Sequence, residues 1–418
     1  MPDKINYKSI EKLKAEILYW LCTGFIYSML FWTLLNSIFA ILISAFWLFF
    51  LKKKFDFSGY RSKMVVLFVS IYIIGIIGLL YTNNMTKGIA ILQKQSALLF
   101  FPLVFGTTSV LSSLSVKRLM THFLIATGST CIIGLGIGAY NFYISGNIET
   151  ITGTGILVFY NFTTFLMGLY CLTALIFIFN SSKVDFEKFK KWLILLTLVL
   201  SVFIFLLSLR IIIFCWLLLL LFFAWNNIKR KLHRVLLAFG LLSATIMSGI
   251  LITPLKNQWR ELVDLSGKGN IVLDADSSLG HNWGGKALRV AIWKCSADVI
   301  RKHWLTGVGT GDTQDSLQQA YENRKFYFAS RYNQYHAHNQ YLQFAIGFGM
   351  PGLLLMVFCI SVPLYQYRRK YSNNVYWLFL AIFAFTALTE SVLELNKGII
   401  LYSFFNSIFA FTSLKNTG

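Results

Sequence analysis

Long apolar segments recur along almost the whole chain, from Ile17 to Leu414. The hydrocarbon core of a bilayer is about 30 Å thick, and a helix needs roughly 17–25 apolar residues to cross it. The apolar segments have about that length and show no alternation with period two, so they predict helices rather than a barrel. Charged residues are only 13% of the chain, about half the share in a soluble domain. We therefore predict an all-α polytopic membrane protein.

The pattern predicts about twelve membrane-spanning helices. We place them at residues 17–31, 36–51, 64–81, 95–111, 119–144, 156–179, 190–208, 211–225, 232–252, 340–365, 375–391 and 398–414. Residues 17–51 are almost unbroken, so one span with a re-entrant segment is an alternative for the first pair. No internal repeat or soluble linker divides residues 1–418, and we expect a single membrane domain.

The distribution of lysine and arginine orients these spans. With both termini in the cytoplasm, the cytoplasmic segments hold 23 of the 38 basic residues and the short outer segments hold 4. Cytoplasmic loops of membrane proteins carry such an excess. The other 11 lie in the one long loop, residues 253–339 between spans nine and ten, which this orientation places outside the cytoplasm. The net charge of +21 thus reflects membrane topology, and we expect no nucleic-acid partner.

The long loop has the patterns of an ordered structure. Residues 287–303 read as an amphipathic helix. Its apolar side is predicted to consist of Val290, Trp293, Ala297 and Ile300. A glycine-rich turn follows at residues 307–311, and no strand precedes it as a nucleotide site would require. We therefore favour a tight passage of the backbone past a neighbouring surface.

Three cations are predicted on the outer side. Arg210 interrupts a long apolar stretch, and an arginine at membrane depth costs several kcal/mol unless it faces a cavity or a partner. A snorkelling arginine at a tight turn is the alternative. Arg289 begins the amphipathic helix, and Lys94 opens span four as either a phosphate contact or an interfacial anchor. Because guanidinium groups bind phosphate oxygens well, these cations suit an anionic, lipid-borne substrate.

His336 and His338 stand two residues apart where the loop enters span ten. They can be interfacial polar residues, a metal pair, or a site where one imidazole moves a proton near neutral pH. No third ligand lies at metal spacing beside them, so we expect no metal. Glu390 and Glu394 are predicted on one helical face near Lys397. They could relay protons, but we favour a structural pairing with the lysine.

Together these segments resemble the O-antigen ligase/polymerase family. The similar features are Arg289, Trp293, the run from His303 to Gly311, the run from His336 to Gln343, and the glycines of residues 347–352. Residues 78–83 and 98–103 are also similar to members of that family. The resemblance covers nearly the whole chain, including its length, its number of spans and its long late loop.

The resemblance implies a GT-C-like glycosyltransferase of the bacterial inner membrane, with a partly helical periplasmic loop and an active site that faces the periplasm. Such enzymes use no metal or other cofactor and invert the anomeric centre. Carried onto this sequence, the two essential arginines are Arg210 and Arg289. The essential histidine is His338, because Asn339 follows it, and His336 is the competing assignment.

The remaining expectations concern substrates. The resemblance implies an undecaprenyl-diphosphate-linked glycan as donor, with the bilayer as its environment. The expected acceptor is lipid A–core or another glycan, and we favour O-antigen ligation to lipid A–core in lipopolysaccharide biosynthesis. Residues expected to bind substrate are Lys94, His336 and Asn339.

Other activities share parts of this pattern. A polymerase of O-antigen or exopolysaccharide repeat units, or an enzyme that O-glycosylates proteins, could carry the same motifs. A flippase or transporter of lipid-linked oligosaccharides is the alternative from another class. A flippase needs charged residues through the thickness of the bilayer, whereas Arg210, Arg289 and His338 are predicted on one side of it. This distribution favours chemistry over transport.

Overall fold

The computed structural model describes residues 2–51, 60–108, 110–157, 162–180, 183–227, 229–230, 232–233, 240, 285–370 and 374–412. All regular structure in these residues is helical. The α-helices are α1 (Pro2–Phe31), α2 (Thr33–Phe46), α3 (Tyr60–Leu79), α4 (Met85–Gln95), α5 (Ala97–Thr107), α6 (Ser113–Ser145), α7 (Thr164–Phe179), α8 (Lys183–Leu206), α9 (Arg210–Asn227), α10 (Gly285–Lys302), α11 (Thr313–Asn323), α12 (Gln340–Lys370), α13 (Val375–Thr386) and α14 (Asn396–Phe411).

Short helical turns join or extend several of these helices. A π-helical turn, Trp47–Leu51, continues α2, and 3₁₀ turns at Ile148–Ile151 and Gly155–Leu157 follow α6. A second π-helical turn, Phe328–Asn333, precedes α12, and a 3₁₀ turn at Val392–Glu394 precedes α14. The last two turns position the candidate site.

The helices agree in part with the predicted spans, since α7 begins at Thr164 within span 156–179 and α13 ends at Thr386 within span 375–391. Among the described residues, six helical segments are long and apolar enough to cross a membrane, and three shorter apolar helices accompany them. Residues 17–51 form two helices that break at Trp32, which has extended backbone. Of the two, the segment Leu34–Leu51 is long and apolar enough to cross a membrane, and the two-span interpretation stays a prediction. Predicted span 232–252 lies almost entirely outside the described residues. The chain is thus an all-helical multi-pass membrane protein, and the count of twelve stays a prediction.

Phenylalanine side chains form the centre of the helix bundle. The ring of Phe101 on α5 lies 5.0 Å from that of Phe25 on α1 and 5.4 Å from that of Phe404 on α14, both edge to face. Aromatic pairs favour this geometry because the ring edge is positive and the ring face negative. At Gly106, α5 comes so close to α3 that a Cβ atom would overlap Val65.

The glycine-rich turn attaches the long loop to the bundle through backbone contacts. The N–H of Gly309 donates to the carbonyl of Gly347 at 2.9 Å, and the hydroxyl of Thr310 donates to the carbonyl of Gly75 at 2.6 Å. Gly309 has φ +94°, and a Cβ atom there would lie 2.9 Å from the carbonyl oxygen of Gly78. Glycine is required here for both the conformation and the close approach. The predicted tight backbone passage is confirmed.

Helix α10 confirms the predicted loop helix, but the predicted apolar side is wrong in phase. The residues that α10 buries are Ala291, Ile292, Cys295, Ser296 and Val299. The predicted residues Val290, Trp293, Ala297 and Ile300 are only partly buried. The small alanine, cysteine and serine side chains let α11 and α12 approach closely on that side, where Tyr321 and Ile346 complete a second core. The sequence interpretation gave too much weight to side-chain size.

The orientation of the bundle can be tested with fusions. We expect a reporter that is active only outside the cytoplasm to be active when fused after Asn270 and inactive when fused after Arg230. The reason is the excess of basic residues in the segments assigned to the cytoplasm. Reporter activity in cells expressing each fusion checks this. The reverse pattern would place Arg210 and His338 in the cytoplasm and remove the function proposed below.

Candidate functional site

Two imidazoles meet where the long loop enters α12. His336 and His338 lie in the segment between the π-helical turn Phe328–Asn333 and α12, and their ring centroids are 4.3 Å apart. His338 has φ +45°, which is uncommon for a residue other than glycine. With this backbone the N–H of His338 donates to Nδ1 of His336 at 3.2 Å. Such strained positions cluster at functional sites.

Glu390 joins the two histidines from a distant part of the chain. Its Oε1 atom lies 3.2 Å from Nε2 of His336, and its Oε2 atom lies 3.1 Å from Nδ1 of His338. Burial acts to raise the pKa of Glu390, but the hydrogen bond from His338, the nearby imidazoles and Arg289 together hold it below its ordinary value. The carboxylate is therefore ionised near neutral pH, and both imidazoles donate to it.

This hydrogen-bond pattern assigns the protons of the two rings. His336 donates from Nε2 and accepts at Nδ1, so it is a neutral ring with both nitrogens engaged, and burial lowers its pKa to about 4. His338 donates from Nδ1, so its lone pair is on Nε2. That Nε2 atom is buried and has no hydrogen-bond partner among the described residues. His338 is thus the imidazole with a free acceptor nitrogen, as a general base requires.

The irregular segment between α13 and α14 carries Glu390. The N–H of Gln340 donates to the carbonyl of Ala387 at 2.8 Å, and its side-chain oxygen accepts from the N–H of Leu393 at 2.6 Å. Because α13 ends at Thr386, Glu390 and Glu394 do not share a helical face, and that prediction is wrong. The fully buried Gln340 instead fixes this segment against the first turn of α12.

The two predicted arginines approach this cluster. Burial lowers the pKa of Arg289, while the carboxylate of Glu390 raises it and the charge of Arg210 lowers it. These electrostatic effects require the two guanidinium groups and the carboxylate to be neighbours. Arg289 reaches the cluster from the first turns of α10, and Arg210 reaches it from the bundle. Arg289 is thus close enough to both Glu390 and Arg210 for their charges to act on it, and the catalytic roles of Arg210, Arg289 and His338 stay predictions.

Arg210 stands at a tight turn. It is the first residue of α9, directly after a turn in which Ser208 has φ +58°. An arginine at a helix N-terminus is electrostatically unfavourable by itself, because the helix dipole is positive there. Free N–H groups of the first turn and a guanidinium together form a strong anion site. The tight turn fits both sequence interpretations of Arg210, and phosphate binding by this residue stays a prediction.

Lys94 and Asn339 have clear contacts in the structure. The ammonium group of Lys94 donates to the carbonyl of Glu394 at 2.8 Å, and its charge acts on His336, so it borders the same cluster. The side-chain oxygen of Asn339 accepts from the N–H groups of Tyr341 and Leu342 at 2.9 and 3.1 Å. Asn339 is thus the N-cap of α12. Substrate binding by either residue stays a prediction.

Residues 194–357 match the family model described as O-antigen ligase. This segment is O-antigen ligase-like. The ligase-like segment contains Arg210, Arg289 and both histidines, whereas Lys94 and Glu390 lie outside it. No curated protein matches the chain at a significant level. The match supports a membrane glycosyltransferase of the O-antigen ligase/polymerase type, and the resemblance found in the sequence is confirmed for this segment.

The two histidines of the ligase-like segment, together with Glu390, form a group with the composition of a metal site. The potential ligand atoms of His336, His338 and Glu390 lie within 4.8 Å of one another. The sequence prediction of no metal overlooked this third ligand. Both carboxylate oxygens, however, already accept from imidazole nitrogens, and Nδ1 of His336 accepts from a backbone N–H. The positive charges of Arg289 and Lys94 also act on this cluster and disfavour a cation.

Glu390 is the site residue that sequence reasoning missed. It lies 52 positions after His338 and beyond the ligase-like segment. The available signal was the isolated position of two acidic residues, Glu390 and Glu394, in an otherwise apolar C-terminal region. We assigned those residues to Lys397, whose ammonium group instead lies 3.4 Å from the ring centre of Phe162. Glu390 reaches the histidines because α13 ends at Thr386 and an irregular segment follows it.

Proposed function

We propose that this chain transfers a glycan from undecaprenyl diphosphate to a sugar hydroxyl, at the periplasmic face of the bacterial inner membrane. The observation that carries the proposal is the buried Nε2 atom of His338, which has no hydrogen-bond partner among the described residues and belongs to a ring that Glu390 orients. The charge of Arg289 acts on the same carboxylate. Glycosyl transfer from a diphosphate needs a base and positive charge in one place. The ligase-like segment supports the same class of reaction.

On the acceptor side, His338 acts as the general base. Glu390 holds the Nδ1 proton, so Nε2 can take the proton of the acceptor hydroxyl as its oxygen attacks the anomeric carbon. The carboxylate of Glu390 then stabilises the imidazolium ion, as the acidic member of a catalytic triad does. His338 is the catalytic residue of this step and Glu390 a positioning residue. The neutral ring of His336 donates to the other carboxylate oxygen of Glu390.

On the donor side, the arginines stabilise the leaving group. The bond between the anomeric carbon and the phosphate oxygen breaks, and negative charge develops on undecaprenyl diphosphate. Arg210 and Arg289 stabilise this charge more strongly in the transition state than in the bound donor. Lys94 adds a third positive charge at the border of the cluster. Attack from the face opposite the diphosphate inverts the anomeric centre.

Ligation of O-antigen to lipid A–core is the reaction that we favour. Polymerisation would use the same groups with a lipid-linked repeat unit as acceptor. In either case, residues 1–418 form one membrane domain with residues 253–339 as its periplasmic loop. The polyprenyl chain of the donor lies among the membrane helices while its diphosphate reaches the arginines.

The proposal predicts transfer without a metal ion. We expect purified protein to transfer glycan from undecaprenyl diphosphate at the same rate in EDTA as in Mg²⁺ or Mn²⁺. The reason is that two arginines and a lysine supply positive charge where the diphosphate leaves. The measurement is the initial rate of product formation with labelled donor and a lipid A–core acceptor.

Two results of this assay would contradict the proposal in different ways. A rate that EDTA abolishes and Mg²⁺ or Mn²⁺ restores would overturn charge stabilisation by arginine. Absence of transfer under all conditions, with lipid A–core and with a second lipid-linked repeat unit as acceptors, would overturn the glycosyltransferase proposal itself.

A further inference from the structure

A further cleft lies on the loop side of the protein, and its described lining includes none of His336, His338 and Glu390. It consists of two neighbouring cavities of about 940 and 430 Å³ that share His303, Ser316 and Gln319 in their lining. The turn between α3 and α4 forms one wall, and α11 with the end of α10 forms the other. A cleft of this size accommodates several sugar rings.

The chemistry of the larger cavity suits a neutral glycan. Its lining includes side-chain amides, hydroxyls and an imidazole from Asn83, Ser316, Gln319 and His303, which can donate to or accept from sugar hydroxyls. Of the described residues that line it, none is a lysine or arginine. The larger cavity is also lined by the carboxylates of Asp312 and Asp315, which disfavour an anionic diphosphate there. The cations of the cleft, Arg301 and Lys302, line the smaller cavity instead.

Tyr81 gives this cleft a fixed aromatic surface. Its hydroxyl donates to the carbonyl of Thr306 at 2.6 Å, while 41% of the residue stays exposed. The negative face of such a ring attracts the positive C–H groups of a sugar. An aromatic ring that is anchored by its hydroxyl and open on its face is therefore suited to stack against a pyranose.

Hydrogen bonds hold the two walls of the cleft together, but several of its polar side chains form no hydrogen bond with a described residue. The carboxylate of Asp312 accepts from the backbone N–H groups of Asn83 and Asn84 at 2.6 and 2.8 Å, which ties α11 to the start of α4. The side chains of Asn83, His303 and Ser316 form no hydrogen bond with another residue that the structure describes. The fixed walls lower the ordering cost of binding, while the unengaged polar groups leave hydrogen-bonding capacity for a ligand and must themselves be ordered when it binds.

Helix α4 connects the cleft to the catalytic cluster. Met85 at its start lines the cleft, and Lys94 near its end acts on His336. Nine helical steps separate the two positions by roughly 14 Å. We infer that the cleft binds part of a substrate glycan. The sugars that it binds are several sugar units away from the bond formed at His338. This inference rests on the function proposed above and adds a second subsite to it.

The test compares long and short substrates. We expect Tyr81→Leu, and separately the double variant Asn83→Ala/Ser316→Ala, to raise KM for a substrate with a complete glycan about tenfold, with kcat within about twofold of wild type. Loss of contacts made equally in the ground and transition states has this kinetic signature. For a substrate with one sugar, KM stays unchanged. Lys294→Ala, an exposed position on α10, is the matched control.

Two arms of the assay identify which glycan occupies the cleft. In one arm the donor carries one sugar or a complete repeat unit on undecaprenyl diphosphate, with a constant acceptor. In the other arm the acceptor saccharide is complete or truncated, with a constant donor. Wild type is expected to have a lower KM for the longer glycan, and the cleft variants are expected to lose this difference in one of the two arms. The glycan that is varied in that arm is the one that occupies the cleft.

The cleft inference fails if both cleft variants match wild type and Lys294→Ala for every substrate. It also fails if the variants lower kcat equally for long and short substrates. These results leave the function proposed above intact, since wild type still transfers. If wild type transfers with no substrate pair, calorimetry measures binding of the free repeat-unit oligosaccharide instead. Tenfold weaker binding by the cleft variants than by wild type supports the cleft inference, and equal or absent binding overturns it.

Discussion

His338→Ala is expected to lower the rate of glycan transfer by about 10²–10⁴, the range that loss of a general base causes. The variant loses the imidazole nitrogen, Nε2 of His338, that is buried and has no hydrogen-bond partner among the described residues. The same variant is expected to bind the undecaprenyl-diphosphate donor normally, because the imidazole acts on the acceptor hydroxyl. The measurements are the initial transfer rate and donor binding on the same preparation.

His336→Ala is the matched control for this variant. It removes the neighbouring ring, which has both nitrogens engaged and its pKa lowered to about 4, and we expect substantial activity to remain. If His336→Ala is inactive and His338→Ala transfers normally, the base is misassigned by two residues. If both variants transfer at the wild-type rate, the catalytic interpretation is wrong and a flippase becomes the better explanation.

Arg210→Lys and Arg289→Lys are each expected to lower transfer by about 10²–10³, the usual loss when a contact to developing charge is removed. Lysine keeps the positive charge but loses the planar fork that binds two phosphate oxygens at once. The charge of Arg289 interacts with those of Glu390 and Arg210, so a substitution at Arg289 also changes the electrostatic environment of both. The transfer rate under saturating donor checks this prediction, because the contact strengthens in the transition state.

Arg331→Lys provides the control for the arginine variants. Arg331 lies in the same loop, pairs with Glu322 at 3.4 Å and has a side chain that is 62% exposed. Its conservative replacement should leave transfer unchanged. All variants should be inserted and monodisperse in detergent, as wild type is. Wild-type rates for both Arg210→Lys and Arg289→Lys would show that the positive charge alone is sufficient, or that the diphosphate lies elsewhere.

The sequence predicted the helices well because hydrophobic length dominates membrane segments. It also predicted that Arg210, Arg289 and His338 belong together, since each stands out in an apolar or loop context. It could not predict Glu390, because the contact depends on where α13 ends, and no residue between Thr386 and Glu390 marks that end with a proline or glycine. Local periodicity carries no information about such a tertiary contact.

The phase of α10 was mispredicted for a related reason. Burial on that helix is decided by two neighbours, α11 and α12, which approach its small residues rather than its large ones. Sequence periodicity describes one apolar face against one surface. A helix packed between two partners, with Cys295 among its fully buried residues, does not follow that description. Its turn at residues 307–311 was easier to predict, because glycine reports directly on backbone geometry.

The attachment of the long loop at Gly309 and Gly347 has an evolutionary consequence. Backbone groups make the contact between Gly309 and Gly347, and the hydroxyl of Thr310 adds a bond to Gly75, so substitutions on the exposed surface of the loop that spare these residues leave its placement over the bundle unchanged. Surface residues around the junction are therefore free to diversify while the catalytic groups keep their spacing. Such an arrangement lets one scaffold accept new glycans through point changes, whereas changes at the two glycines themselves would be rejected.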